Sequence, residues 1–270
     1  MFKAFGKIEQ KQFGVVGMID LHCHILPGVD DGPENLEESI AMAHAAVKQG
    51  ITHILCTPHH NNGRYTNPAP KVISAVKSLQ RELNQRGIEL TLFEGQEIRL
   101  TGNLLKEIQQ QQLLFTDLDD QYLLIEFPTI EVPAYTDALF FQLIDRGYTP
   151  VIVHPERNAV FSKDPNRLLP YLEMGALTQV TAPSIVGFFG PKVQKAAKTM
   201  LTKRLAFMVA SDAHSMQQRG FYLKEAYQEI EKTFGIDRVK EMEQMTKDLL
   251  NGDPVVRPDY QKVKHFSFFK

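Results

Sequence analysis

The chain of 270 residues predicts a single-domain α/β fold in which parallel strands close into a seven-stranded, TIM-like (β/α)7 barrel. Three observations predict it. Short apolar, β-rich runs alternate with longer amphipathic ones along the whole length, the signature of a parallel sheet with helices outside it. The length suits one barrel domain. Histidines, carboxylates or arginines follow six of the seven strand candidates, where a barrel gathers its active site. A doubly wound open sheet is the alternative reading of the same alternation.

The strand candidates are 15–21, 53–57, 89–95, 122–126, 149–154, 177–181 and 205–211. The first helix opens after "DDGPE" and stops at Gly50. Its Leu36, Ile40, Ala43 and Val47 recur at helical spacing on one face, with Pro near its first turn and Gly past its last. Further helices are expected near 70–86, 134–146, 165–175, 191–204 and 221–250, the last split at "FGID". Phe140 and Phe141 are both expected in the core. Residues 1–17 read as an N-terminal extension, 18–251 as the working domain and 252–270 as a tail that wraps the surface or mediates contacts.

Composition excludes several classes. Hydrophobic residues make up 43% and charged ones 23%, with a formal net charge of −2, so there is no basic footprint for nucleic acid. The first residues carry no secretory signal pattern, and no apolar stretch reaches the ~20 residues of a membrane span. The two cysteines, Cys23 and Cys56, cannot build a disulfide framework and fit a reducing, cytoplasmic setting. Both are expected in packing. The Cys-x5-Arg pattern of cysteine-dependent phosphatases is absent, since Val29 and Asn62 stand six residues on from the two cysteines.

The polar residues at strand ends carry the chemistry. His22 and His24 lie two apart on a strand and so point to one side. Asp31 follows, then His59 and His60, Glu94 and Glu97, Glu126, His154 with Arg157, and Asp212 with His214 and Arg219. Mixed nitrogen and oxygen donors without thiolate point to Zn, Mn or Fe. The carboxylates of Asp31, Glu97, Glu126 and Asp212 sum to −4. Two divalent ions would neutralise them, and three would leave a net +2 suited to a phosphate dianion and to a water of lowered pKa. Arg157 and Arg219 could then fork onto phosphate oxygens. His60 is a candidate general acid. Arg64 and Tyr65, in the loop after His59, are candidates for the pocket rim. "TAPSIVGFFG" (181–190) reads as a loop facing substrate, a second copy or the core. His44, His53 and His265 are given no chemical role.

Together "DLHCHILPGVDDGP", "CTPHH", "GQEI", "HPER" and "SDAH", in this order, resemble the PHP (polymerase and histidinol phosphatase) superfamily. More narrowly they resemble its bacterial tyrosine phosphatases of capsular and exopolysaccharide synthesis. The resemblance spans about residues 18–251 and implies a distorted seven-stranded PHP barrel holding two or three divalent ions, manganese first, iron or zinc otherwise. It implies hydrolysis of phosphotyrosine on the tail of a bacterial tyrosine autokinase, and relatives that can form homo-oligomers. By position, His22, His24, Glu97 and Asp212 would hold the first ion. Glu97 would bridge to a second held by Glu126 and His154, and Asp31, His59 and His214 would hold a third. Asp31, rather than Asp30, aligns as the ligand. Arg157 and Arg219 would grip phosphate. Competing expectations are a small-molecule phosphatase acting on substrates such as histidinol phosphate, a non-catalytic metal-stabilised module, and an amidohydrolase. The last would not call for the histidine after the terminal aspartate or for paired arginines.

Overall fold

The computed structural model describes residues 17–216 and 219–264. His265 and nearly all of the N-terminal extension lie outside them. Among the described residues, no helix is long and apolar enough to cross a membrane.

The chain begins with β1 (Met18–Cys23), α1 (Leu36–Gln49), β2 (Ile51–Cys56), β3 (His59–His60), α2 (Ala69–Gln85), β4 (Thr91–Glu94), β5 (Glu97–Arg99) and α3 (Leu104–Gln109). It continues with β6 (Tyr122–Glu126), α4 (Thr136–Asp145), β7 (Thr149–Val153), α5 (Ala159–Lys163), α6 (Leu169–Met174), β8 (Leu177–Thr181) and α7 (Ala182–Val186). α8 (Pro191–Thr202), β9 (Met208–Ala210), α9 (Leu223–Phe234) and α10 (Ile236–Asn251) complete it. All strand pairs are parallel. Helices cover the outside: α1 packs on β2, α2 on β4, α4 on β7, and α10 on β1 and β9.

The single closed ladder expected from sequence gives way to two sheets, ordered β1-β2-β4 and β3-β5-β6-β7-β8-β9. The reason is local. Pro58 has no N–H to donate and breaks the run between β2 and β3. Gly95 breaks β4 from β5, where a Cβ would come within 2.8 Å of the Leu55 side chain. Hydrogen bonds still cross both breaks, from Thr57 N to Cys23 O (2.9 Å) and from Glu97 N to Pro58 O (3.2 Å). At the far edge, β1 meets the residues after β9 through His24 N to Ala213 O (2.9 Å) and Asp212 N to His22 O (2.8 Å).

Local signals explain the helices. Asn35 caps α1 by accepting from Glu38 N (3.1 Å), and Glu38 accepts in return from Asn35 Nδ2 (2.9 Å), a reciprocal cap. Gly50 closes α1 in the left-handed region at φ 87°. Gly235 separates α9 from α10. Two expectations about side chains fail on helical geometry. Phe140 is fully buried, but Phe141 is 64% exposed, because neighbours on a helix point about 100° apart. Val47 is likewise exposed, and Met42 and Ala46 take the inner face of α1 with Ile40 and Ala43. Both cysteines are free and buried. The tail lies across the outside, where Arg257 Nη1 donates to Leu172 O, and Val263 N and Asn166 Oδ1 meet at 2.7 Å.

Candidate metal centre

The strand ends bring the predicted donors to one place, in three overlapping groups. In the deepest, His22 Nε2 and His24 Nε2 are 3.2 Å apart, on the one side where period-two alternation puts them. Each lies 3.3–3.5 Å from Glu97 Oε2 and from Asp212 Oδ1. All four side chains are essentially sealed from solvent. Ligand distances near 2.0–2.2 Å put the corners of a tetrahedral site roughly 3.4 Å apart, so the spacing fits a bound divalent ion. A second group joins His24, Asp31, His59 and His214, with Asp31 Oδ1 3.4 Å from His59 Nε2 and 3.3 Å from His214 Nε2. A third joins His59, Glu97 and Glu126.

Unsatisfied atoms point the same way. His59 Nδ1, Glu97 Oε2, Glu126 Oε2 and Asp212 Oδ1 are buried without a hydrogen bond. Such groups are costly unless something compensates them. Divalent cations at the three groups would supply that compensation.

His154 reaches the site from the end of β7. Its Nε2 lies 2.5 Å from Glu97 Oε1, on the other carboxylate oxygen from the one that His59 approaches. His60 is on the opposite face of β3 from His59. It is buried, its Nδ1 accepts from Asn67 N (3.2 Å), and it belongs to none of the three groups.

Electrostatics follow from this crowding. Burial, then the adjacent Glu97, pushes Glu126 up to about 7, against the pull of Arg99. Burial would raise Asp212, but Arg219 and Arg157 hold it well below the usual carboxylate range. Burial, then Arg157, pulls His154 down to about 3, and burial, then His24, takes His214 to about 4. These two rings are therefore neutral near pH 7, the state a metal requires.

Two of the rings are held with Nε2 facing inward: His22 Nδ1 donates to Gln179 Oε1 (3.2 Å) and His24 Nδ1 to Asp30 Oδ2 (2.6 Å). His214 is held from two sides, with Nδ1 3.0 Å from Asp212 O and the Arg219 guanidinium against its ring nitrogens. Asp30 also accepts from His59 N and Gly32 N. Gly32 lies so close beneath His24 O that a Cβ would sit 2.2 Å from it. This explains the adjacent aspartates: Asp31 faces the donors and Asp30 orients His24. Asp30→Asn is expected to weaken metal binding by about 10–100-fold while activity at saturating metal largely recovers. Chelator competition on the variant checks this.

The arginines form the rim. Arg157 Nη1 donates to Asp212 Oδ2 (2.5 Å), and Arg219 Nη1 lies 3.4 Å from the same oxygen. Backbone hydrogen bonds hold Arg219 beside the site, with His214 N donating to Arg219 O (3.0 Å) and Arg219 N to Ser215 O (3.1 Å). His154 and Asp212 both have positive φ, 37° and 52°, conformations that persist when their surroundings enforce them.

Sequence reasoning missed Asp30, Gln179 and Arg99. Arg99 Nη2 lies 3.1 Å from Glu126 Oε2. It also missed Asp20, whose carboxylate accepts from Ser211 N (2.8 Å) and Ser211 Oγ (2.5 Å) and so ties β1 to the residues that present Asp212. One signal was available for Gln179, a long polar side chain at the centre of β8, which the strand pattern marks as buried.

An α/β scaffold that converges five imidazoles, four carboxylates and two arginines at the ends of parallel strands defines a protein built around a metal-binding centre. The chain belongs to the family described as capsular polysaccharide synthesis, CpsB/CapC, which matches residues 18–250. It is 41% identical over 255 residues to the tyrosine-protein phosphatase YwqE of Bacillus subtilis, covering 93% of this chain and 100% of that one. It is 30% identical over 230 residues to the tyrosine-protein phosphatase CpsB of Streptococcus pneumoniae, covering 83% and 94%. A crystal structure from work on YwqE and CpsB as "unique metal-dependent tyrosine phosphatases" superimposes with a TM-score of 0.88 at 41% identity, over 92% of this chain and 100% of that one.

Proposed function

We propose that this chain is a metal-dependent protein-tyrosine phosphatase of capsular or exopolysaccharide synthesis. The observation that carries the reading is the deepest group, two imidazoles and two carboxylates at tetrahedral spacing, with Arg157 and Arg219 beside it.

In this reading His22, His24, Glu97 and Asp212 hold one ion. Glu97, Glu126 and His154 hold a second. Asp31, His59 and His214 hold a third, with His24 alongside. When bound, divalent ions lower the pKa of water and stabilise charge on phosphoryl oxygens. Every other contribution comes from the chain. Arg157 and Arg219 take phosphate oxygens through charge-assisted hydrogen bonds, and their planar donors match the equatorial oxygens of an in-line transition state. Gln179 and Asp30 fix the His22 and His24 tautomers before substrate arrives. The leaving phenol, with a pKa of about 10, needs less help from a general acid than an alkyl alcohol does, so none is assigned. Asp31, with its side chain 44% exposed, marks the open side where a peptide could approach.

Several finer points complete the proposal. Nitrogen and oxygen donors without thiolate suit manganese, iron or zinc alike, and the family resemblance puts manganese first. β2 with β3, and β4 with β5, are each read as one interrupted strand, which makes the two sheets a distorted barrel of seven units. Residues 18–251 form the phosphatase domain, with 1–17 and 252–270 as flanking segments. The substrate is a phosphotyrosine protein, a bacterial tyrosine kinase tail foremost, and the setting is cytoplasmic, in keeping with two free thiols.

The test compares rates on a phosphotyrosine peptide, a phosphoserine peptide and histidinol phosphate, with metal content measured and chelator controls. The phosphotyrosine peptide is expected to lead, with activity lost on chelation and restored by manganese. A decisive preference for histidinol phosphate, or full activity in demonstrably metal-free protein, overturns the proposal.

A further inference from the structure

Beside the arginine rim lies a cavity of about 310 Å³ that phosphate binding alone does not use. Its lining is polar at Glu126, His154, Arg157 and Arg219 and aromatic at Phe127, Phe161 and Phe189. Phe127 and Phe161 are buried and meet edge to face at 5.3 Å; they belong to the core and form a floor. Phe189 is different. It is only partly buried, and its ring lies 5.4 Å from the guanidinium carbon of Arg157.

Local structure aims it there. Phe188 and Phe189 form a two-residue aromatic tip between Gly187 and Gly190, whose φ values of 89° and 86° suit residues without a Cβ. Gly187 ends α7 and Gly190 begins α8, so both ends of the tip are anchored. Phe188 packs edge-on against Phe189 at 5.3 Å and lies 5.5 Å from Tyr222. The tip is thus a supported wall and not a loose loop.

An aryl phosphate has the same two halves as this cavity. A dianion sits one ester oxygen away from a flat apolar ring. An anion held by Arg157 would place that ring next to Phe189. We propose that Phe189 is a specificity-determining residue that packs against the substrate's aryl ring and favours aryl over alkyl phosphate monoesters. The proposal rests on the tyrosine-phosphatase reading and adds to it the residue that recognises the ring.

Phe189 has a competing role, that of merely supporting Arg157 through the cation–π contact. The two roles separate by experiment. Direct calorimetric titration of the metal-loaded protein with phenylphosphonate and with propylphosphonate reads binding without turnover. It stays informative even if the chain proves inactive on phosphotyrosine, so the two readings fail independently. Phe189→Ala is expected to weaken phenylphosphonate roughly 10-fold and to leave propylphosphonate within about twofold. Phe189→Leu keeps the bulk, protects the fold, and is expected to recover only part of the loss. Phe189→Tyr is expected to restore it. Equal weakening of both ligands assigns Phe189 to Arg157 alone and overturns the proposal, as does no change in either.

Discussion

Glu97→Gln is expected to lose metal and to lower kcat/KM on a phosphotyrosine peptide on the order of 10³-fold. The argument is geometric. Glu97 is completely buried, and its two oxygens reach four imidazoles: Oε2 lies 3.4 Å from His22, 3.3 Å from His24 and 2.8 Å from His59, and Oε1 lies 2.5 Å from His154. It also belongs to two of the three donor groups. Burial alone would raise its pKa, but His59, then His22, hold it well below the usual range. The side chain is therefore an anion at the centre of the site. Glutamine keeps its volume and removes its charge, so packing is spared and the electrostatic loss is isolated. Elemental analysis should find at least one ion fewer per chain, with a thermal melt showing a folded protein. A variant that retained its full metal complement and most of its activity would remove Glu97 from the centre of the mechanism.

How much of this site was legible beforehand depended on the range of each interaction. His22 and His24 were readable together because strand alternation alone puts them on one side. Glu126 and Asp212 were readable because each ends an apolar run. The orienting partners were not readable in the same way. Gln179 is 157 positions from His22, and nothing local to β8 says which ring it will meet. Asp30 and Asp31 are identical in type and adjacent in sequence. What separates their roles is the fold of the turn, where Gly32 N donates to Asp30 Oδ1 (3.0 Å) and the loop backbone presses on His24. The strand pattern was legible in outline, with 122–126 and 177–181 matching β6 and β8 at both ends. It missed β3 and β5, two and three residues long, because runs that short have no periodicity to detect. It treated 181–190 as loop, and one turn of helix at Ala182–Val186 is likewise below the length that pattern reveals. The paired phenylalanines at 140 and 141 show the converse error, since composition suggested core for both and helix geometry admits one.

Arg157→Ala is expected to cost about 10²- to 10³-fold in kcat/KM and, unlike Glu97→Gln, to leave metal content unchanged. Arg157 is not one of the donors; it contacts them through one oxygen of Asp212, whose other oxygen faces His22 and His24. Arg219 still reaches Asp212 Oδ2 at 3.4 Å, so the aspartate keeps a cationic neighbour when Arg157 is removed. What disappears is the planar donor pair directed at developing charge on the phosphoryl oxygens. Arg157→Lys should restore only a small part of the loss, because a lysine supplies charge without the fork. Inorganic phosphate provides the independent reading: its inhibition constant should rise in Arg157→Ala along with the fall in kcat/KM. If phosphate inhibits the variant as well as it inhibits the parent, the arginine is a structural partner of Asp212, and the grip on substrate must be sought in Arg219 and Arg99.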